Sequence, residues 1–109
     1  MAAGDQCPFC RRIAAGETVL EGTHAAAIPD ANPEHPGHVL VVPRRCEADL
    51  FALPPAVLAE IWLLVGQAQA SLRARFPADG VRVRVNVGAA AGQSVDHAHV
   101  HVLGRPHPA

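Results

Sequence analysis

The chain has 109 residues, half of them apolar and 17% charged, which fits one globular domain spanning 1–109 and excludes a disordered one. A formal net charge of −1 gives no electrostatic basis for binding nucleic acid or a membrane surface. No apolar run is long enough to cross a bilayer, and Met1 to Gln6 lack the apolar stretch of a signal peptide, so a cytoplasmic protein is expected.

In chain order, residues 7–16 read as a short helix stopped by Gly16. Brief strands are expected at 18–21 and 24–28, around a turn at Gly22-Thr23. Residues 30–37 contain Asn32, Pro33, Pro36 and Gly37 and form a loop. The β-branched run 37–42 reads as a buried strand ending at Pro43. Residues 54–76 make the one long helix, because Pro54-Pro55 suit a first turn whose N–H groups need no partner. Val57, Ile61, Val65, Ala68, Leu72 and Phe76 recur every three or four residues and form its apolar stripe. Leu58 and Trp62 widen the stripe, which places Trp62 in the core.

Beyond that helix, Val81, Val83, Val85 and Val87 alternate with Arg82, Arg84 and Asn86, a strand with its valines inward and its polar residues outward. Residues 88–94 form a Gly-rich turn into a last strand that begins at His97. The pairs Arg11-Arg12 and Arg44-Arg45 read as solvated surface. Too few residues separate the strands for parallel crossovers, so the fold class is α+β: five antiparallel strands with one long helix on one face and a short N-terminal helix. The last two strands form a hairpin whose outer face carries Asn86 and the histidines.

The segment His97-Ala98-His99-Val100-His101-Val102-Leu103 stands out. In a strand its three histidines share one face, about 6.6 Å apart, while Ala98, Val100 and Val102 share the other. Three imidazoles spread over about 13 Å do not converge easily on one ion, although a His-x-His pair plus a third ligand could hold zinc. A neutral imidazole can instead attack phosphorus when its other nitrogen is fixed as N–H, with a neighbouring histidine as proton donor. Asn86, Gln93, Ser94 and the turn amides are candidate donors to phosphate oxygens.

Three cysteines are an odd number, which argues against a secreted disulfide framework and for metal or redox use. Cys7-Pro8-Phe9-Cys10 is half of a tetrahedral zinc site; a thioredoxin-like pair would follow a strand, and none precedes it. His24, His35 and His107 carry no assigned role.

Gly92-Gln93-Ser94-Val95-Asp96 with the histidine row closely resembles the signature of the histidine triad (HIT) nucleotide-binding proteins. The resemblance extends to Cys7-Pro8-Phe9-Cys10, to Ile13-Ala14-Ala15-Gly16-Glu17, to Asp30-Ala31-Asn32-Pro33, and to the run from Pro36 to Arg45. It implies the HIT-like fold and a nucleotidyl hydrolase or transferase acting on purine nucleotides, in which His99 attacks the α-phosphate to form a covalent nucleotidyl-histidine. His101 would contact phosphate and protonate the leaving group, and His38 would complete the network around the triad. Asn86, Gln93 and Ser94 match positions that hold phosphate and leaving group, with Ser94 also in the catalytic set. Asp30 matches the residue that binds ribose hydroxyls, and Ile28 and Val41 wall the base pocket or the core.

Ser94 and His101 favour the Hint-like, phosphoramidase-type bacterial branch. The alternatives are a dinucleoside polyphosphate hydrolase, a nucleotide-binding regulatory module with little turnover, and a metalloenzyme with zinc on the triad. In some bacterial relatives the Cys-x-x-Cys binds structural zinc together with a histidine after the Pro-basic-basic run and the first triad histidine. Here Cys46 stands where that histidine would be, so the implied set is Cys7, Cys10, Cys46 and His97, one zinc per chain. The family also implies a homodimer.

Overall fold

A computed structural model describes residues 7–105; the segment Met1 to Gln6 and His107, read above from sequence, lie outside the described residues. The chain runs α1 (Pro8–Ala14), β1 (Leu20–Glu21), β2 (Ala25–Pro29), β3 (Val39–Pro43), α2 (Pro55–Arg75), β4 (Gly80–Arg84) and β5 (Val100–Arg105). Short 3-10 turns occupy Leu50–Ala52 and Ala89–Ala91. All five strands pair antiparallel in the order β1-β2-β3-β5-β4, the α+β architecture expected from sequence. No helix among the described residues is long and apolar enough to cross a membrane.

Strand alternation divides the apolar residues between two cores. Ala25, Ala27, Val41, Ala98, Val100 and Val102 pack on one sheet face against Val57, Ile61, Leu64, Val65, Ala68 and Leu72 of α2. At about 100° per residue, Leu64 falls about 60° from Ile61 around the helix, whereas Trp62 falls about 100° away on the other side. Leu64 is therefore buried, and Trp62 is 51% exposed, which corrects the expectation of a core tryptophan. The second face is partly closed by α1, whose Phe9 packs with Cys7, Ile28, Leu40 and Val42. Both faces of the sheet thus carry helix, not one. Gly16, at φ +78°, ends α1 as the sequence indicates, and the Glu17 N–H returns to the Arg12 carbonyl.

The last two strands differ most from the sequence reading. The β4 ladder stops at Arg84, and Val83 is 43% exposed because β4 is an edge strand; α2 lies over β2, β3 and β5. Strand β5 starts only at Val100, since the Ala98 N–H donates to the Glu47 carbonyl at 2.6 Å instead of joining the ladder. Residues 85–99 are therefore a long connection, and β4 and β5 are neighbours without a tight hairpin. The basic pairs also do more than solvate. Arg12 donates to the Pro29 carbonyl (2.6 Å), and Arg44 to the Gly22 carbonyl (2.9 Å).

The loop before β3 is fixed by a close approach. Gly37 sits at φ +88°, and a Cβ there would lie 2.6 Å from the Phe76 ring. Only glycine meets both demands. The next residue is His38, so this contact helps set where His38 enters the site.

Candidate active site

Although only His101 lies within a paired strand, the alternation persists through residues 97–101. Ala98 and Val100 face α2, and the three histidines face the other way. Each imidazole has a different neighbour. His97 is fully buried, and its Nε2 lies 2.7 Å from the Pro43 carbonyl, which can only accept. Nε2 therefore carries the proton, leaving the Nδ1 lone pair directed at Cys7 Sγ (3.1 Å) and Cys10 Sγ (3.6 Å). Burial holds the His97 pKa below its ordinary value, so the ring is neutral.

His99 has the opposite tautomer. Its Nδ1 lies 2.8 Å from the His97 carbonyl, so Nδ1 bears the proton and Nε2 keeps its lone pair. Phe9 packs edge-on against both His97 and His99, with ring centroids 5.6 and 5.1 Å away. The ring of His101 stands 5.2 Å from that of His99. An imidazole held through one N–H with its other nitrogen free is the form a nucleophile requires.

A second chain of contacts sets His101. The Glu34 N–H donates to His38 Nδ1 (3.1 Å), so neutral His38 carries its proton on Nε2. That N–H points to His101 Nδ1 at 3.0 Å and to Asp30 Oδ2 at 3.3 Å. With Nδ1 accepting, His101 presents an Nε2–H, which is a proton donor. Burial, then the charge of Arg84, pushes the His101 pKa down to about 4, and burial also lowers that of His38. Both rings are neutral at physiological pH. Asp30 accepts from the Asn32 N–H through Oδ1 (2.8 Å) and keeps lone pairs for further donors.

The donor atoms of Asp30, His38 and His101 all lie within 4.8 Å of one another, a set with the composition of a cation site. A cation would need the Nε2 lone pair of His38, forcing the proton onto Nδ1 against the Glu34 N–H. The tautomers favour a proton chain there, not a metal.

The connection between β4 and β5 carries the remaining expected residues, Asn86, Gln93 and Ser94. The Gln93 amide is fully engaged: Oε1 accepts from the Gly88 N–H (2.8 Å), and Nε2 donates to the Ala48 and Val95 carbonyls (2.9 and 3.0 Å). It straps the loop to residues 47–49. Asn86 lies against Gly92, its amide nitrogen 3.5 Å from the place a Gly92 Cβ would take, and Gly92 sits at φ +98°. Ser94 is exposed at the loop's end.

The cysteines gather around His97. The Sγ atoms of Cys7, Cys10 and Cys46 and a ring nitrogen of His97 all lie within 4.8 Å of one another. Tetrahedral zinc with bonds of about 2.3 Å to sulfur needs donors about 3.8 Å apart, so the spread suits it. Burial, then Cys7 and Cys46, pushes the Cys10 thiol up to about 12, and burial also raises Cys46. Burial opposes ionisation of Cys7 as well, but hydrogen bonds from Cys10 and Cys46 outweigh it and lower its pKa. Three crowded thiols resist becoming three thiolates, and a dication removes that resistance. The donors fit zinc.

Comparison with known proteins decides the family. The sequence matches the HIT domain over residues 12–107. The chain belongs to the HIT family. An uncharacterised HIT-like protein of Mycobacterium tuberculosis is 39% identical over 101 residues, covering 89% of this chain and 69% of its own length. The asymmetrical bis(5'-nucleosyl)-tetraphosphatase of Schizosaccharomyces pombe is 36% identical over 81 residues, 74% of this chain and 44% of the yeast enzyme. A zinc-bound histidine triad family protein from Mycobacterium smegmatis superposes with a TM-score of 0.85 at 30% identity, over 94% of this chain and 77% of that one.

Within this HIT fold, the two candidate base-pocket residues separate. Ile28 lies on the histidine face with Leu40, whereas Val41 packs against α2 and belongs to the core. His24 is exposed, and His35 is half-buried with Nδ1 3.2 Å from the Pro36 carbonyl. Sequence reasoning missed Phe9, Glu34 and Arg84. Phe9 was signalled only by its place between the cysteines. In sequence Arg84 is one of several outward polar residues, and nothing in the spacing pairs it with Glu34.

Proposed function

We propose that this HIT protein hydrolyses purine nucleoside conjugates at the α-phosphate, of the phosphoramidate class or related, through a covalent nucleotidyl-His99 intermediate. The observation that carries the reading is the placement of protons: a free Nε2 lone pair on His99 beside an Nε2–H on His101. His99 Nε2 attacks phosphorus, and the bond to the leaving group breaks as His101 protonates the departing atom. Water then attacks phosphorus, returning the electron pair to His99 and a proton to His101, and nucleoside monophosphate leaves. Asp30 holds the ribose hydroxyls, and His38 keeps His101 in its donor tautomer. Asn86 and Ser94 contact phosphate and leaving group; Gln93, expected to join them, commits both Nε2 hydrogens to the Ala48 and Val95 carbonyls and holds the loop that carries Ser94.

The test is AMP release from adenosine phosphoramidate and from a dinucleoside polyphosphate by wild type and His99→Ala. The variant is expected to lose at least roughly three orders of magnitude in kcat/KM. Full release by the variant would remove His99 from the mechanism.

We further propose that Cys7, Cys10, Cys46 and His97 hold one structural zinc per chain, supported by the fit of the donors and by the zinc-bound relative from M. smegmatis. A closed four-ligand site has no position for catalytic water; when bound, the metal ties α1 to the sheet. Thiolate ligands call for a reducing compartment, in keeping with a cytoplasmic protein. We also propose a homodimer. Its support, beyond the family, is the open edge of β4 with exposed Val83, and Trp62 and Leu63 exposed on α2.

A further inference from the structure

Arg84, the last residue of β4, stands directly across from His101 in the ladder. Directly opposed residues share a sheet face, with Cβ atoms about 5 Å apart, so the guanidinium rises beside the proposed proton donor. The register continues across the sheet through His101, Leu40 and Ile28, ending two residues before Asp30. Arg84 and Asp30 thus lie on opposite sides of His101. In the proposed mechanism the departing atom takes its proton from His101, so it lies within reach of that ring and of the guanidinium across the ladder from it.

The guanidinium is braced. Glu34 Oε2 accepts from Arg84 Nη2 at 2.7 Å, while the Glu34 backbone N–H holds His38. One loop residue therefore fixes both the proton chain and the cation beside it. The Arg84 and Glu34 side chains are 35% and 43% exposed, so the pair stands on the open side of the site. A guanidinium has five N–H donors in a rigid fork, and Glu34 engages one nitrogen of it. His38 and His101 are neutral, so Arg84 is the positive charge that balances Asp30 and Glu34 around His101.

We infer that Arg84, braced by Glu34, determines leaving-group specificity, favouring nucleoside 5'-conjugates whose leaving group is an oxyanion, phosphate or sulfate, over neutral amines. The inference rests on the nucleotidyl-transfer reading and, within it, points to the related conjugates of phosphate or sulfate ahead of the phosphoramidates. As the P–Nε2 bond to His99 forms, the P–O bond to the leaving group breaks, its electron pair goes to that oxygen and the His101 Nε2–H supplies the proton. The remaining anionic oxygens of the departing phosphate or sulfate lie beside the guanidinium. Water then cleaves the P–Nε2 bond as proposed above.

The experiment measures the ratio of kcat/KM for adenosine 5'-phosphosulfate to that for an adenosine phosphoramidate of a neutral alkylamine. Arg84→Met is expected to lower this ratio by about 10- to 100-fold, the scale of one charge-assisted hydrogen bond. A fall of less than about tenfold, with His99→Ala inactive on both substrates, overturns the role of Arg84 and leaves the nucleotidyl-transfer reading standing. If wild type releases AMP from neither substrate, both fall together. Arg84→Lys, which keeps the charge but not the fork, guards against misfolding of the first variant. Its ratio is expected to lie between those of wild type and Arg84→Met, and a ratio equal to that of wild type counts against the fork.

Discussion

Two backbone groups far apart in sequence decide which nitrogens of the triad hold protons. The His97 carbonyl fixes Nδ1–H on His99, and the Glu34 N–H fixes, through His38, the Nε2–H of His101. Replacing His38 with Ala removes the partner that holds His101 Nδ1 as an acceptor. We expect kcat to fall about 10- to 100-fold, less than the roughly 10²- to 10⁴-fold of a general acid lost outright because the donor itself remains, with folding retained by circular dichroism. The same network predicts acid sensitivity. His101 titrates near 4 in the folded protein, and its ordinary value is 6.5. Between those values the unfolded chain binds a proton that the folded one refuses, so stability is complete above about pH 6.5 and declines as pH falls toward 4. His38 shifts in the same direction. Melting temperature should therefore drop across that window, and the drop should shrink in His101→Asn. At this scale the triad was legible because three like residues alternate; Glu34 and Arg84 were not, because a loop's reach across two strands leaves no trace in spacing.

Among the elements, the histidine segment shows how far periodicity goes. The alternation of His97 to Leu103 placed Ala98, Val100 and Val102 in the core, and they are there. It did not reveal that pairing begins only at Val100, which depends on Glu47 capturing the Ala98 N–H. The long helix was similarly legible in extent but not in its rim, where Leu64 on one side of Ile61 is buried and Trp62 on the other is exposed. A tight contact outside the histidines carries its own prediction. Gly37→Ala puts a Cβ against the Phe76 ring at a left-handed φ, so it should destabilise by about 1–3 kcal/mol and lower Tm in thermal unfolding. The N-terminal helix is tied to the sheet by the thiol cluster. Cys7→Ser should lose most of the bound zinc and melt several degrees lower, whereas wild type purified without chelator should hold about one equivalent. Less than about a tenth of an equivalent in wild type would contradict the zinc site.

For the molecule as a whole, composition and punctuation reveal the one long helix and connections too short for parallel crossovers, from which the antiparallel pairing follows. The insertion of β5 between β3 and β4 depends on the long 85–99 connection and does not show in sequence. The division of the sheet into a structural face under α2 and a chemical face shared by α1 and the histidines follows from the period of two along each strand. Assembly is a different matter, since an exposed Val83 or Trp62 shows only in three dimensions. Sedimentation should give about twice the 11.4 kDa chain mass, and a monomer at micromolar concentration would contradict the dimer. The central claim, covalent transfer to His99, is tested most directly by intact-mass analysis of protein acid-quenched during turnover of an AMP conjugate. The account predicts an adduct of one AMP, mapped to His99 and missing from His99→Ala. An adduct on another residue, or steady AMP release with no adduct at any quench time, would contradict it.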